Sequence, residues 1–230
     1  MDDKLNTKEY LKSIIPTVSV GIMSADFLNL GYAISTLEKS EAKLLHIDVM
    51  DGNFCPMLTI GPEVIRQLKT NMLKDVHLMI NNPLATIDKY IDAGANILTI
   101  QYESTIHQHK TLQFIREKNP DILRGISINP GTPYNVIEPL LDEVEMVVIL
   151  AVNPGWNGQK FISSVKMKFE CVKKLIQERG TDILIMIDGG VTLENIREIS
   201  MLKPDIVVSG SAVFKGNTVS QNIREMIEKL

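Results

Sequence analysis

Residues 43–52 read Lys43-Leu44-Leu45-His46-Ile47-Asp48-Val49-Met50-Asp51-Gly52. A short aliphatic run closed by Asp-Gly reads as a buried parallel strand followed by a turn. Side chains alternate along a strand, so His46, Asp48 and Met50 share one face. An imidazole and a carboxylate therefore stand together where the strand ends.

The same kind of run recurs along nearly the whole chain, at 16–23, 73–80, 97–101, 123–128, 146–152, 183–188 and 205–209. Between these runs the apolar residues change to a helical period. Phe27, Leu30, Ile34 and Leu37 fall on one helical face. So do Leu84, Ile87 and Ile91, then Val165, Phe169, Val172 and Ile176, and finally Ile223, Met226, Ile227 and Leu230. Each stripe is read as packing on a sheet. Eight strand-plus-helix units in 230 residues predict an α/β chain folded as a single-domain (β/α)8 TIM barrel spanning 16–230. A doubly wound open sheet is the competing architecture, but no G-x-G-x-x-G follows the first strand. Residues 1–15 form an N-terminal extension, where Tyr10, Leu11, Ile14 and Ile15 predict a short helix capping the bottom of the barrel.

Composition narrows the function. Hydrophobic residues make up 44% and charged residues 23%, which excludes disorder, collagen and coiled coil. The net charge of −4 offers no basic surface for a phosphate backbone, so no nucleic-acid partner is expected. No stretch approaches the roughly 20 apolar residues of a membrane span. The opening Met1-Asp2-Asp3-Lys4 is acidic and unlike a secretory leader. Cys55 and Cys171 are the only thiols, so the expected compartment is the reducing cytoplasm.

In a barrel, chemistry sits at the C-terminal ends of the strands. The third strand ends Asp75-Val76-His77-Leu78-Met79, with His77 on the face of Asp75 and Met79. The seventh ends Ile187-Asp188-Gly189-Gly190. His46, Asp48, His77 and Asp188 together offer two nitrogens and two carboxylates from three strand ends, a donor set that suits Zn²⁺, Fe²⁺, Mn²⁺ or Co²⁺. Each piece alone also fits a bland reading, as a buried His–Asp hydrogen bond or a turn aspartate. His107 and His109 lie at a predicted helix start and read as surface. A second group is glycine-bearing: Asn153-Pro154-Gly155-Trp156-Asn157-Gly158 after strand six, Gly189-Gly190 after strand seven, and Gly210-Ser211 after strand eight. Three such loops on consecutive late strands favour a phosphate held by backbone N–H groups. Simple turn chemistry explains any one of them.

These residues bring out a resemblance. The chain resembles the ribulose-phosphate 3-epimerase family from about residue 16 to 230. The shared segments include Met23-Ser24-Ala25-Asp26-Phe27, His46 to Gly52, Leu58-Thr59-Ile60-Gly61-Pro62 and Val76-His77-Leu78-Met79. They continue through Asn153-Pro154-Gly155, Gly158-Gln159-Lys160-Phe161, Asp188-Gly189-Gly190-Val191 and Ser209-Gly210-Ser211-Ala212. The resemblance implies a cytoplasmic homo-oligomer that interconverts D-ribulose 5-phosphate and D-xylulose 5-phosphate in the pentose phosphate pathway. It implies one divalent metal ion, Zn²⁺ or Fe²⁺ before Mn²⁺ or Co²⁺, at His46, Asp48, His77 and Asp188. Asp48 and Asp188 would double as the acid/base pair. Gly155, Trp156, Asn157, Gly158, Gly189, Gly190, Gly210 and Ser211 would hold the phosphate, with His77 beside the substrate. Gly21, Met50, Met79 and Leu150 would line the pocket.

The chain departs from the usual family pattern in the substrate-facing residues. Gly21 stands where a serine commonly contacts the substrate, Asn53 and Gln101 replace histidines, and Met57 replaces an asparagine. Leu150 replaces a methionine, Trp156 a phenylalanine and Asn157 a glycine. These changes bear on substrate identity more than on reaction type. The alternatives are therefore a 3-epimerase of a hexulose 6-phosphate such as D-allulose 6-phosphate, and a phosphosugar-binding barrel without catalysis. Decarboxylation or isomerisation would call for a lysine near the reacting carbon. Lys74 begins strand three and Lys160 follows the phosphate loop, so neither sits at a strand end.

Overall fold

The aliphatic runs pair side by side into a closed barrel, as a computed structural model describing residues 6–156, 158–216 and 218–230 shows. Among the described residues the strands are β1 (Thr17–Gly21), β2 (Leu44–Met50), β3 (Leu73–Met79) and β4 (Ile97–Gln101). They continue as β5 (Leu123–Ile128), β6 (Met146–Leu150), β7 (Leu184–Asp188) and β8 (Ile206–Ser209). Every neighbouring pair is parallel, and β8 returns to β1 with Thr17 opposite Ile206. The open-sheet alternative is thereby excluded.

The helices are α1 (Thr7–Ile14), α2 (Leu30–Glu38), α3 (Pro62–Gln67), α4 (Ile87–Asp92) and α5 (Gln108–Lys118). After them come α6 (Val165–Arg179), α7 (Ile196–Ser200), α8 (Ser211–Phe214) and α9 (Val219–Lys229). Three details depart from regular strand-plus-helix units. Leu84, read on one helical face with Ile87 and Ile91, lies in a separate 3-10 turn, Pro83–Ala85, ahead of α4. Phe27 belongs to a separate 3-10 turn capped by Asp26, whose Oδ1 accepts from the Leu28 amide at 3.0 Å, and it is 39% exposed. The link from β5 to β6 is a 3-10 segment, Tyr134–Glu143, because Pro139 inside it cannot donate to an α-helical ladder.

Strand alternation produces two cores. Outward residues such as Ile47, Val76, Leu98 and Ile187 pack under the helices. Inward residues at the strand starts, among them Leu44, Ile97, Leu123, Met146, Leu184 and Ile206, fill the lower barrel. Leu11 of α1 completes that plug and is fully buried. The helix is started by a capping box between Asn6 and Glu9, and Lys8 Nζ donates to the Asp182 carbonyl at 2.8 Å. Above the plug the interior turns polar, with Ser19, His46, Asp75, His77 and Thr99 all buried. A polar floor on an apolar plug is what positions the site.

Candidate active site

The register of β2 against β3 sets Asp48 opposite His77 and His46 opposite Asp75. Because these residues all lie on the inward face, four polar side chains from two strands converge. Asp188 arrives from the end of β7, three steps around the ring by way of β1 and β8. His46 Nε2 lies 3.2 Å from Asp48 Oδ1 and 3.5 Å from Asp188 Oδ2. His77 Nδ1 lies 3.5 Å from Asp48 Oδ1 and 3.4 Å from Asp188 Oδ2. Two nitrogens thus face two carboxylate oxygens, and one donor atom from each of the four residues lies within 4.8 Å of the others.

Electrostatics follow from this crowding. Burial opposes charge on His46, but Asp75, Asp48 and Asp188 outweigh it and raise the ring well above the ordinary histidine range. His77 is raised as well, with Asp188 and Asp48 overcoming its burial. Burial works to raise Asp48, yet His46 and His77 hold its carboxyl well below the usual range. Asp188 is lowered for the same reasons, with the Asp48 charge acting against it.

The residues fit a divalent ion. The donor set is nitrogen and carboxylate, and His77 Nδ1 is buried without a hydrogen-bond partner. A divalent ion at this point would satisfy that nitrogen and offset both carboxylates.

Over this floor opens a cleft of about 330 Å³. Asp48 and Asp188 reach it, whereas His46 and His77 lie beneath and do not line it. Met50 and Met79, one turn of the pleat above the cluster, form part of its wall with Leu150 and Gly21. Gly155, Trp156, Gly158, Gly189, Gly190, Gly210 and Ser211 line the other side. Asn157 lies outside the described residues. Two of the glycines are there of necessity. Gly190 has φ +69°, and a Cβ on it would come within 2.6 Å of the Phe161 amide nitrogen. Gly155 has φ +91°, and its Cβ would meet Cys55 Cβ at 2.7 Å. The loop after β6 is also braced from within. Gln159 Nε2 donates to the Trp156 carbonyl at 2.8 Å, and its Oε1 accepts from the Asn153 amide at 3.1 Å. His107 and His109 are exposed at the start of α5 and do not line the cleft. Lys160 is exposed and Lys74 caps helix ends through the carbonyls of Ile65 and Ala93, so neither lines the cleft.

Sequence reasoning missed the residue beneath the four-residue cluster. Asp75 is fully buried, and its Oδ2 meets His46 Nδ1 at 2.6 Å while accepting from Ser19 Oγ at 2.9 Å. Its signal was present as Asp75-Val76-His77, but its partner is visible only once the register of β2 and β3 is known. Ser24 and Thr192 of the cleft wall were likewise given no role.

Known proteins resemble this chain in sequence and in fold. The model of the Ribulose-phosphate 3 epimerase family matches residues 17–214. Ribulose-phosphate 3-epimerase of Bacillus subtilis is 41% identical over 212 residues, covering 91% of this chain and 97% of that protein. The chloroplastic ribulose-5-phosphate-3-epimerase of Arabidopsis thaliana is 40% identical, covering 90% of this chain and 74% of that protein. Among solved structures, 3-hexulose-6-phosphate synthase from Salmonella typhimurium superposes with a TM-score of 0.66 at 17% identity, over 93% of this chain and 97% of that one. At that identity the likeness speaks to the fold alone. The two relatives and the family match over nearly all of the barrel place this chain in the ribulose-phosphate 3-epimerase family.

Proposed function

We propose that the protein is a metal-dependent epimerase that inverts C3 of a ketose phosphate, with D-ribulose 5-phosphate and D-xylulose 5-phosphate as its substrate pair. The observation that carries the reading is the pair of carboxylates, Asp48 and Asp188, that enter the cleft floor from separated strands. Inversion requires a proton to leave one face of C3 and another to arrive on the opposite face. Two carboxylates do this across a planar enediolate without turning the sugar over, each serving as base in one direction and acid in the other. His46, Asp48, His77 and Asp188 are the residues that would hold one divalent ion, with Zn²⁺ or Fe²⁺ preferred over Mn²⁺ or Co²⁺. When bound, that ion supplies positive charge against the oxyanion that builds next to C3.

The remaining residues bind and shield. Backbone groups at Gly155, Gly158, Gly189, Gly190, Gly210 and Ser211 take the phosphate, with Trp156 and Asn157 on the same loop. The positive φ of Gly155, Gly189 and Gly190 supports this, because it lets the chain approach an anion without side chains between. Met50, Met79 and Leu150 keep water from the reacting carbon.

A second reading is a hexulose 6-phosphate 3-epimerase, D-allulose 6-phosphate being the example. Gly21 favours it: this residue lines the cleft with no side chain, although a Cβ there would meet nothing closer than 3.4 Å. Both epimerase readings carry with them a cytoplasmic homo-oligomer, and the free Cys55 and Cys171 are in keeping with the reducing compartment. Among the described residues no helix is long and apolar enough to cross a membrane.

The test is a pair of measurements on metal-loaded protein. Solvent deuterium should wash in at C3 of ribulose 5-phosphate, and kcat/KM should be higher for that pentulose than for allulose 6-phosphate. A reversed preference replaces the first reading by the second. No exchange with either sugar defeats both and leaves a phosphosugar-binding barrel.

A further inference from the structure

We propose that Asp75, braced by Ser19, is a positioning residue that fixes the His46 ring so that Nε2 is its metal-binding atom. The proposal rests on the metal reading above and extends it below the ligands. Asp75 never meets the substrate, since it is fully buried and absent from the cleft wall. What it touches is His46 Nδ1, at 2.6 Å, and Ser19 Oγ, at 2.9 Å. A carboxylate can only accept in that contact, so Nδ1 carries the proton. Nε2 is then the ring atom presented to Asp48 Oδ1 at 3.2 Å and Asp188 Oδ2 at 3.5 Å.

The companion ligand makes the point by contrast. His77 turns Nδ1, not Nε2, toward the same two carboxylates, and that nitrogen has no hydrogen-bond partner. The two rings thus offer different nitrogens to one point, and for His46 the choice is made by Asp75. Flipping the His46 ring would leave Asp75 buried without its partner, which is costly for a carboxylate. Asp75 Oδ1 is already buried and unpartnered. A group serving only to fill space there would be better apolar. A carboxylate behind a metal-binding histidine holds the ring orientation and makes the imidazole a stronger donor. Ser19, on β1, holds the carboxylate from the opposite side, so β1, β3 and β2 contribute one chain of contacts to a single ligand atom.

The experiment compares Asp75→Asn, Asp75→Ala and Ser19→Ala with wild type. Zn²⁺ affinity is measured by competition with a chromophoric chelator, and the His46 ring by nitrogen-edited NMR of the Zn²⁺-loaded protein. Wild type should show a slowly exchanging Nδ1 proton on His46. Asp75→Asn keeps an acceptor oxygen but loses the charge, so Zn²⁺ binding should weaken by about tenfold with the Nδ1 proton retained. Asp75→Ala should weaken binding by up to ~100-fold and lose the slow proton. Ser19→Ala should fall between wild type and Asp75→Asn. Should the alanine variant at position 75 not fold, Asp75→Asn and Ser19→Ala decide the matter. Folded variants whose Zn²⁺ affinity matches wild type overturn the role of Asp75 while leaving the metal site standing. A wild-type protein that binds none of Zn²⁺, Fe²⁺, Mn²⁺ or Co²⁺ sinks the metal reading and this proposal together.

Discussion

Asp188 ends a strand whose other members are Leu184, Ile185, Met186 and Ile187, all buried. A charge there is costly unless it is paired, and it is paired to both imidazoles. Asp188→Asn keeps the shape but removes the proton acceptor, so solvent exchange at C3 should drop by roughly 10²–10⁴-fold with the circular dichroism spectrum unchanged. Retained turnover would refute an acid/base role. His77→Ala should lower metal affinity by more than the ~10–100-fold typical of an outer partner, with the lost metal content seen by elemental analysis. Metal uptake should also release protons and weaken as pH falls, because both rings hold their protons above the ordinary histidine range. All four ligand candidates could be read from the sequence, because His46, Asp48, His77 and Asp188 interrupt runs that are otherwise aliphatic. Asp75 interrupts one too, yet its role could not be read, since a second-strand partner is a matter of register and not of spacing.

At the scale of the element, the loop after β2 shows how a strand end becomes a cleft wall. Thr59 turns the chain back, its amide donating to the Met50 carbonyl at 3.1 Å and its Oγ1 accepting from the Met50 amide at 2.8 Å. Asp51 locks the turn: Oδ1 accepts from the amides of Asn53 and Phe54, and Oδ2 from the amide of Asn81 in the next loop, each at 2.8 Å. Burial opposes its charge, but these amides outweigh it and hold the carboxyl below the usual carboxylate range. The group is lowered in the fold, so its contribution is present above the unfolded pKa of about 3.9 and is lost as pH falls below it. Asp51→Asn should therefore cost about 1–2 kcal/mol in urea denaturation at pH 7, and the gap to wild type should narrow below pH 4. A constant gap would separate the loss from the charge. Strand positions were legible because aliphatic runs are short and cleanly bounded. The 3-10 link at Tyr134–Glu143 was not, since Pro139 lies within an otherwise helical pattern. Phe27 was misplaced because apolar spacing continues across a boundary that the Asp26 side chain sets.

For the whole molecule, the deciding feature is that the lower barrel is sealed by a helix outside the eight units. Leu11 is fully buried among inward residues of six strands, and truncation there opens a cavity that neither strands nor helices can collapse to fill. Leu11→Ala should cost about 2–5 kcal/mol in global stability. The ligand cluster lies at the other end, so metal affinity should stay at the wild-type value. A joint loss would mean that the plug and the polar floor are mechanically one. The closure of β8 on β1 has a consequence for synthesis in the cell. While Ile206–Ser209 is still inside the ribosome, β1 and β7 each carry an open edge of unpaired amides and carbonyls. Such edges invite pairing with other chains. The nascent protein must keep its first strand waiting for its last, and a ribosome that stalls late in the message releases a chain primed to join its neighbours.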